Sequence, residues 1–243
     1  MHIDCFVTHV GLRERDARDK VIVVIDVLRA STTICTALSN GAKEVIPVNS
    51  IEQAMQLSSD LFADTTIVCG ERGGVKVRGF DLGNSPREYT PGTVKGKSVV
   101  LTTTNGTEAL VKSRTGSQIL VGCFVNVSAV TEALANINED LLVVCAGREQ
   151  RFSLEDFYCV GMIINGIRET RNAEDTTVSD TASVAEITFR NYSDDPVKVL
   201  KDAAHGQSLI ELGFEEDLHF CGEINRVPVL PVYHEGRITI HTA

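Results

Sequence analysis

The sequence predicts an α/β protein of three layers, α/β/α, around a mostly parallel central sheet. Three observations lead there. Short Val/Ile-rich runs alternate with segments of helical character, the order of strands that run parallel and are covered on both faces. Those runs are continuously apolar, as strands buried on both sides are. The polar residues able to do chemistry follow the runs, and open parallel sheets bind ligands beyond the carboxyl ends of their strands.

Residues 20–26 are a β-branched run and form the first predicted strand. Residues 31–40 read as a helix stopped at Gly41. A strand at 44–48 and a helix at 51–60 come next, then a short strand at 66–69. Strands at 97–101 and 118–122 enclose a helix at 107–113. A helix at 128–137 precedes a strand at 141–145, and a long helix covers 154–169. After about Thr177 helical stretches accumulate, at 181–191, 197–205, 207–212 and 215–220. Residues 229–233 and 237–241 read as a hairpin around Glu235-Gly236. There is no fixed-period repeat, low-complexity segment or linker, so residues 1–243 are expected to form one domain.

The 243 residues are enough to bury a substantial core. Hydrophobic residues at 43% and charged residues at 23% are ordinary for a globular protein. A net charge of −10 argues against a nucleic-acid binder, which usually carries a basic face. An anionic ligand would need a local positive field from Arg, backbone N–H groups or a metal. The longest apolar runs are far too short to span a bilayer, and Met1-His2-Ile3-Asp4-Cys5 has no look of a secretory signal. Seven scattered cysteines without a Cys-x-x-Cys pair read as buried, reduced thiols. A soluble cytoplasmic enzyme is expected, and a homodimer would be unsurprising at this size.

Four polar segments follow predicted strands. In the first, Asp26 ends a strand, and Arg29, Ser31, Thr32 and Thr33 lead into a helix. Asp26 suits Mg²⁺, a hard ion that takes oxygen ligands. Arg29 can fork two phosphate oxygens, and Ser31 and Thr32 can add donors at the helix start, although such hydroxyls also cap helices routinely. The second, Gly70-Glu71-Arg72-Gly73-Gly74 with Gly79-Phe80-Asp81-Leu82-Gly83-Asn84-Ser85-Pro86, fixes Glu71 and Arg72 in a glycine-rich loop. The third, Thr102-Thr103-Thr104-Asn105-Gly106-Thr107-Glu108, opens a helix. It has capping-box spacing from Asn105 to Glu108 and also the makings of a phosphate cradle. The fourth runs from Cys145 through Gly147 and Arg148 to Ser153, Glu155 and Asp156. Its two adjacent acids suit the helix dipole, and are candidate metal ligands or a general base.

Known phosphate motifs mostly fail. There is no P-loop, and Leu28 occupies the second acidic position of an Asp-x-Asp nucleophile motif. Cys145 and Arg151 do match Cys-x5-Arg, the loop in which a low-pKa thiolate attacks phosphorus. Val144 precedes the cysteine, where that loop carries His. Of the six histidines, His205 and His219 are the ones placed to matter.

Taken together, Val24-Ile25-Asp26-Val27-Leu28-Arg29-Ala30-Ser31-Thr32-Thr33, Gly70-Glu71-Arg72-Gly73, the 79–86 segment, Thr103-Thr104-Asn105-Gly106-Thr107, Ala146-Gly147 and Phe152-Ser153-Leu154-Glu155-Asp156 resemble the 2-phosphosulfolactate phosphatase family. The resemblance runs from about residue 2 to 233. It implies Mg²⁺-dependent hydrolysis of the phosphate ester of a small 2-hydroxy acid, giving 3-sulfolactate and phosphate in coenzyme M biosynthesis. On this reading Asp26, Arg29, Glu71 and Arg72 are catalytic. Ser31, Thr32, Gly73, Asn84, Ser85, Thr103, Thr104, Asn105, Gly106, Gly147 and Arg148 bind phosphate or substrate. The metal falls to Asp26 with Glu71, Glu155 or Asp156, and Asp26 could instead be a covalent nucleophile. Two rivals remain: a non-catalytic sensor of a phosphorylated metabolite, and a metal-independent phosphatase built on Cys145.

Overall fold

Strand β2 (Val21–Ile25) is buried along its whole length and sends alternate side chains into two different cores. Val21, Val23 and Ile25 enter one, and Ile22 and Val24 the other. A period of two with both faces apolar is what a central strand between two helical layers requires.

The computed structural model describes residues 1–60, 65–171 and 176–241. In chain order the elements are β1 (His2–Phe6), α1 (Glu14–Ala17), β2, α2 (Ala30–Ser39), β3 (Glu44–Pro47), α3 (Ile51–Asp60), β4 (Thr66–Arg72), β5 (Val75–Lys76), α4 (Pro91–Val94), β6 (Ser98–Thr102), α5 (Gly106–Lys112), β7 (Gln118–Gly122), α6 (Val127–Ala135), β8 (Leu141–Cys145), α7 (Leu154–Thr170), β9 (Thr177–Val178), α8 (Asp180–Tyr192), α9 (Pro196–Asp202), α10 (Ala204–Glu211), α11 (Glu215–Gly222), β10 (Pro231–His234) and β11 (Arg237–Ile240). Among the described residues these strands form one sheet, in the order β5-β4-β6-β3-β11-β10-β7-β2-β8-β1-β9.

Two parallel blocks make up most of the sheet, β4-β6-β3 and β7-β2-β8-β1-β9, and β5 pairs antiparallel with β4 at the edge. The predicted terminal hairpin exists and joins them. Its β10 bridges antiparallel to β7 at Val232 and Leu120, and its β11 to β3 at Ile238 and Val45. One core packs α6 and α7 against the sheet through Val130, Leu134, Phe157 and Ile163. The other packs α2 and α5 through Ile34, Leu38, Ala109 and Leu110. This is the three-layer arrangement expected from the sequence.

Some boundaries differ. The helix predicted at 197–205 breaks at Ala203 into α9 and α10, which puts His205 in the first turn of α10. The short elements β1, α1, β5, α4 and β9 were not anticipated. None of the helices of the described residues is long and apolar enough to cross a membrane.

Candidate active site

Beyond the carboxyl ends of β2, β4, β6 and β8 lies a cleft of about 130 Å³. Leu28 and Arg29 line it after β2; Glu71, Gly73 and Gly74 at β4; Asn84 on the following loop; Thr104 and Asn105 after β6; and Arg148 and Glu149 after β8. Helix α10 adds His205, Ser208 and Leu209, with Leu212 just beyond it. Of the residues expected from the sequence, Arg29, Glu71, Gly73, Asn84, Thr104, Asn105 and Arg148 are therefore brought together on one lining.

Asp26 lies behind that lining. Its backbone N–H donates to Ser31 Oγ at 3.0 Å, and its Oδ1 accepts the N–H of Ala30 at 3.1 Å, so strand end and helix start cap one another. Burial pushes the Asp26 carboxyl up to about 6, and Glu71 and Glu155 add to the rise, while His205 and the Ala30 N–H oppose it. Gly106 makes the packing possible: a Cβ there would come within 2.5 Å of Asp26 Oδ2 and 2.6 Å of the Ala30 Cβ.

Glu71 is spent on holding loops. Its Oε2 accepts the N–H of Gly74 at 2.7 Å, and its Oε1 accepts the N–H and hydroxyl of Thr104 at 2.8 and 2.9 Å. Asp156 does the same between β2 and β8, accepting the N–H groups of Val27 at 2.9 Å and Gly147 at 3.1 Å. Burial nonetheless pushes the Asp156 carboxyl well above the usual range, with Glu155 and Asp26 raising it further. Glu155 is equally buried and faces His205, whose Nδ1 is 3.3 Å from Oε1.

Arg29 is anchored from a direction the sequence did not signal. Its Nη1 donates to Asp217 of α11 at 2.6 Å, its Nη2 to the Gly74 carbonyl at 2.7 Å, and its guanidinium stacks 4.3 Å from the Phe214 ring centre. The Leu28–Arg29 peptide is cis. Arg148 donates to the Ala204 carbonyl at 2.6 Å. It is presented by a tight turn in which Arg148 and Arg151 pair through both backbone N–H groups, at 3.0 and 2.8 Å. Glu149 and Gln150 in that turn take φ of 48° and 64°, a region L-residues visit at a cost, as is frequent at functional sites.

Other expected residues support the site from behind. Thr32 donates to the Val27 carbonyl, and Ser85 to Asp217. Arg72 turns to the Glu71 carbonyl and Thr102 Oγ1, off the cleft lining. Thr103 and Thr107 cap each other, N–H to hydroxyl in both directions, in place of the expected pairing of Asn105 with Glu108. Gly147 has φ of 72°, and a Cβ there would come within 2.4 Å of the Arg151 carbonyl oxygen. His219 is exposed on α11 and takes no part.

Cys145 is fully buried, and its thiol is pushed up by a hydrogen bond to Cys5 and by desolvation. A nucleophilic thiolate needs the reverse shift and access to substrate.

The residues found only in the structure are His205 in its cleft role, Ser208, Leu209, Leu212, Phe214 and Asp217. Glu215-Glu216-Asp217 reads in sequence as an ordinary acidic first turn, so nothing set Asp217 apart.

Comparison with known proteins shows the family. The sequence model of the 2-phosphosulpholactate phosphatase family matches residues 7–236. A "Probable 2-phosphosulfolactate phosphatase" of Caldanaerobacter subterraneus subsp. tengcongensis is 39% identical over 236 residues, 97% of each chain. A protein of that name from Carboxydothermus hydrogenoformans is 42% identical, over 94% of this chain and 93% of its own. Another, from Thermotoga maritima, is 43% identical, over 89% of this chain and 90% of its own. On these matches, which span nearly the whole sequence, the chain belongs to the 2-phosphosulfolactate phosphatase family.

Proposed function

We propose that the protein hydrolyses the phosphate monoester of a small 2-hydroxy acid, 2-phospho-3-sulfolactate, to 3-sulfolactate and phosphate. The observation that carries this reading is a small cleft lined by anion-receiving groups, with buried acids directly behind the lining. Arg29, Arg148 and Asn105 line the cleft; Asp26, and Glu155 facing the cleft residue His205, are the buried acids. A volume of about 130 Å³ suits a substrate of three-carbon scale; sites for drug-sized ligands run to about 300–1,000 Å³. The names of the relatives support the sulfolactate ester in particular.

Mg²⁺ is the proposed cofactor. Among the described residues no group of three or more His, Cys, Asp or Glu side chains is placed to hold an ion. Mg²⁺ commonly keeps several waters and takes one or two carboxylates plus substrate phosphate oxygens, so a sparse donor set fits it. Glu71 and Asp156 are occupied by N–H donors through both oxygens. Asp26 and Glu155 are therefore the pair assigned to the ion, and the buried, raised carboxyl of Asp26 is one that a cation would favour. Bound there, Mg²⁺ would supply Lewis-acid polarisation of the phosphoryl oxygens.

The protein's own share is positioning and electrostatics, as phosphoryl transfer demands. Arg29, held by Asp217 and Phe214, presents a fixed cation to the phosphoryl group. The loop after β6, fixed where Thr104 donates its N–H and hydroxyl to Glu71, holds Asn105 on the cleft lining without reorganising. Leu209 and Leu212 add apolar surface to the lining. The resemblance of the sequence supports a cytoplasmic reaction in a pathway of the coenzyme M type as part of the proposal.

Phosphate release from 2-phospho-3-sulfolactate, with Mg²⁺ and with EDTA, tests the proposal. The expected result is release that stops in EDTA and returns when Mg²⁺ is added back. Tight binding without turnover would replace the enzyme by a sensor.

A further inference from the structure

We infer that Asn84 is a specificity-determining residue whose carboxamide hydrogen-bonds the ester's non-phosphoryl oxyanion, its carboxylate or sulfonate. The inference rests on the hydrolysis proposed above and deepens it. Asn84 is 5% exposed and lines the cleft with Arg29 and Glu71. Its Oδ1 is buried and has no hydrogen-bond partner. Leaving such an atom unpaired is costly, and native proteins rarely do so without a reason.

The surrounding loop has no such slack. The carbonyl of Asn84 accepts the Thr33 hydroxyl at 2.9 Å. On one side, Gly83 accepts the Tyr89 hydroxyl at 2.7 Å and donates its N–H to Glu88 at 2.8 Å. On the other, Ser85 donates to Asp217 at 2.7 Å. The backbone is thus pinned on both sides of a carboxamide whose oxygen the protein itself leaves unused.

The chemistry of that group narrows its ligand. An anionic ester offers acceptors, so the amide N–H₂ must face it. The terminal torsion of Asn is broad and roughly two-fold, and turning it exchanges N–H₂ and C=O at little cost. On the proposal above the phosphoryl group falls to Arg29 and Arg148, cleft residues whose charge suits it better than a neutral amide does. What a buried amide does well is reject a ligand lacking the matching acceptor, because the site is then left unpaired.

Four phosphate esters separate the possibilities: 2-phospho-3-sulfolactate, 2-phospholactate (carboxylate only), 1-sulfopropan-2-yl phosphate (sulfonate only) and isopropyl phosphate (neither). For Asn84→Ala we expect kcat/KM to fall about 10- to 100-fold on esters carrying the recognised oxyanion, the worth of a hydrogen bond to a charged group. Turnover of isopropyl phosphate and inhibition by inorganic phosphate should not change. Asn84→Asp, of the same size but negatively charged, should lose more. A loss confined to 2-phospholactate and the parent ester assigns the carboxylate, and one confined to the sulfonate ester and the parent assigns the sulfonate. An equal loss on all four esters, or none, overturns the inference in favour of a structural role. If the wild type released phosphate from no ester, hydrolysis itself would fall. Calorimetric binding would then judge Asn84 alone: weaker binding of 2-phospho-3-sulfolactate to Asn84→Ala, with inorganic phosphate unaffected, retains it, and equal binding removes it.

Discussion

Arg29 and Asp217 form an ion pair at 2.6 Å in which both side chains are only 2% exposed, although 188 residues separate them in sequence. Asp217 also accepts the Ser85 hydroxyl, so a single carboxylate ties α11 to the loop after β2 and to the 79–86 loop. The C-terminal helices thereby help to build the proposed active site.

Breaking that pair from one side should be expensive. Removing one partner of a buried ion pair leaves an uncompensated charge and typically costs about 3–5 kcal/mol. Asp217→Ala should lose stability on this scale in urea unfolding and should also lose phosphatase activity, since Arg29 loses its anchor. A double variant, Arg29→Met with Asp217→Leu, should recover much of the stability and none of the activity. Activity in the double variant would show that Arg29 is not needed for turnover.

The raised carboxyl of Asp26 predicts a protein that is stabilised by losing it. The group titrates near 6 in the fold, against about 3.9 in an unfolded chain. The native state therefore holds the proton more tightly. Native stability is lost as pH rises from about 4 to about 6, and the full cost, at most about 3 kcal/mol, persists above that window. Asp26→Asn in EDTA should thus melt higher than wild type at pH 8, with the gain fading as pH drops below 6, while activity is abolished. A lower melting temperature at pH 8 would mean that the protein stabilises the carboxylate.

The strands β2, β7 and β8 were legible because each is a short, nearly continuous aliphatic run buried on both faces, a pattern that needs no tertiary knowledge. Strand β1 was not: His2, Ile3, Asp4, Cys5 and Phe6 mix polar and apolar residues, and only pairing with β8 and β9 makes them a strand. The site divides similarly. Asp26, Glu71 and the Thr104 loop follow strands, where the parallel fold concentrates chemistry. The wall built by α10 and α11 has no motif, and its residues acquire roles only through the way those helices pack. Sequence also leaves open which acids serve the backbone and which serve a ligand. Glu71 and Asp156 look like ligands until their N–H partners are seen.

The cysteine match to a thiol phosphatase loop makes a separable prediction. Cys145 is held in the core beside Cys5 with its thiol pushed up. Cys145→Ser should therefore keep the proposed Mg²⁺-dependent turnover. Its cost should appear in stability, about 1–3 kcal/mol for placing a hydroxyl in an apolar setting. Loss of turnover at full stability would revive the thiol.

Gly106 gives the most local test of the site. It has an ordinary negative φ, so alanine is permitted by the backbone and excluded only by contact with Asp26 Oδ2 and the Ala30 Cβ. Overpacking of this kind costs about 1–3 kcal/mol, which a protein of this size can absorb and stay folded. The added methyl must displace either the carboxylate or the start of α2. A displacement of about 1 Å in a catalytic group can cost about a hundredfold in rate. Gly106→Ala should accordingly fold, with a modestly lower melting temperature and kcat reduced by about two orders of magnitude. Gly96→Ala, whose Cβ meets nothing within 4 Å but whose φ is 74°, serves as the control: strained backbone, comparable loss of stability, unchanged kcat. Equal kcat in the two variants would show that the approach of Gly106 to Asp26 does not set the geometry of the reaction.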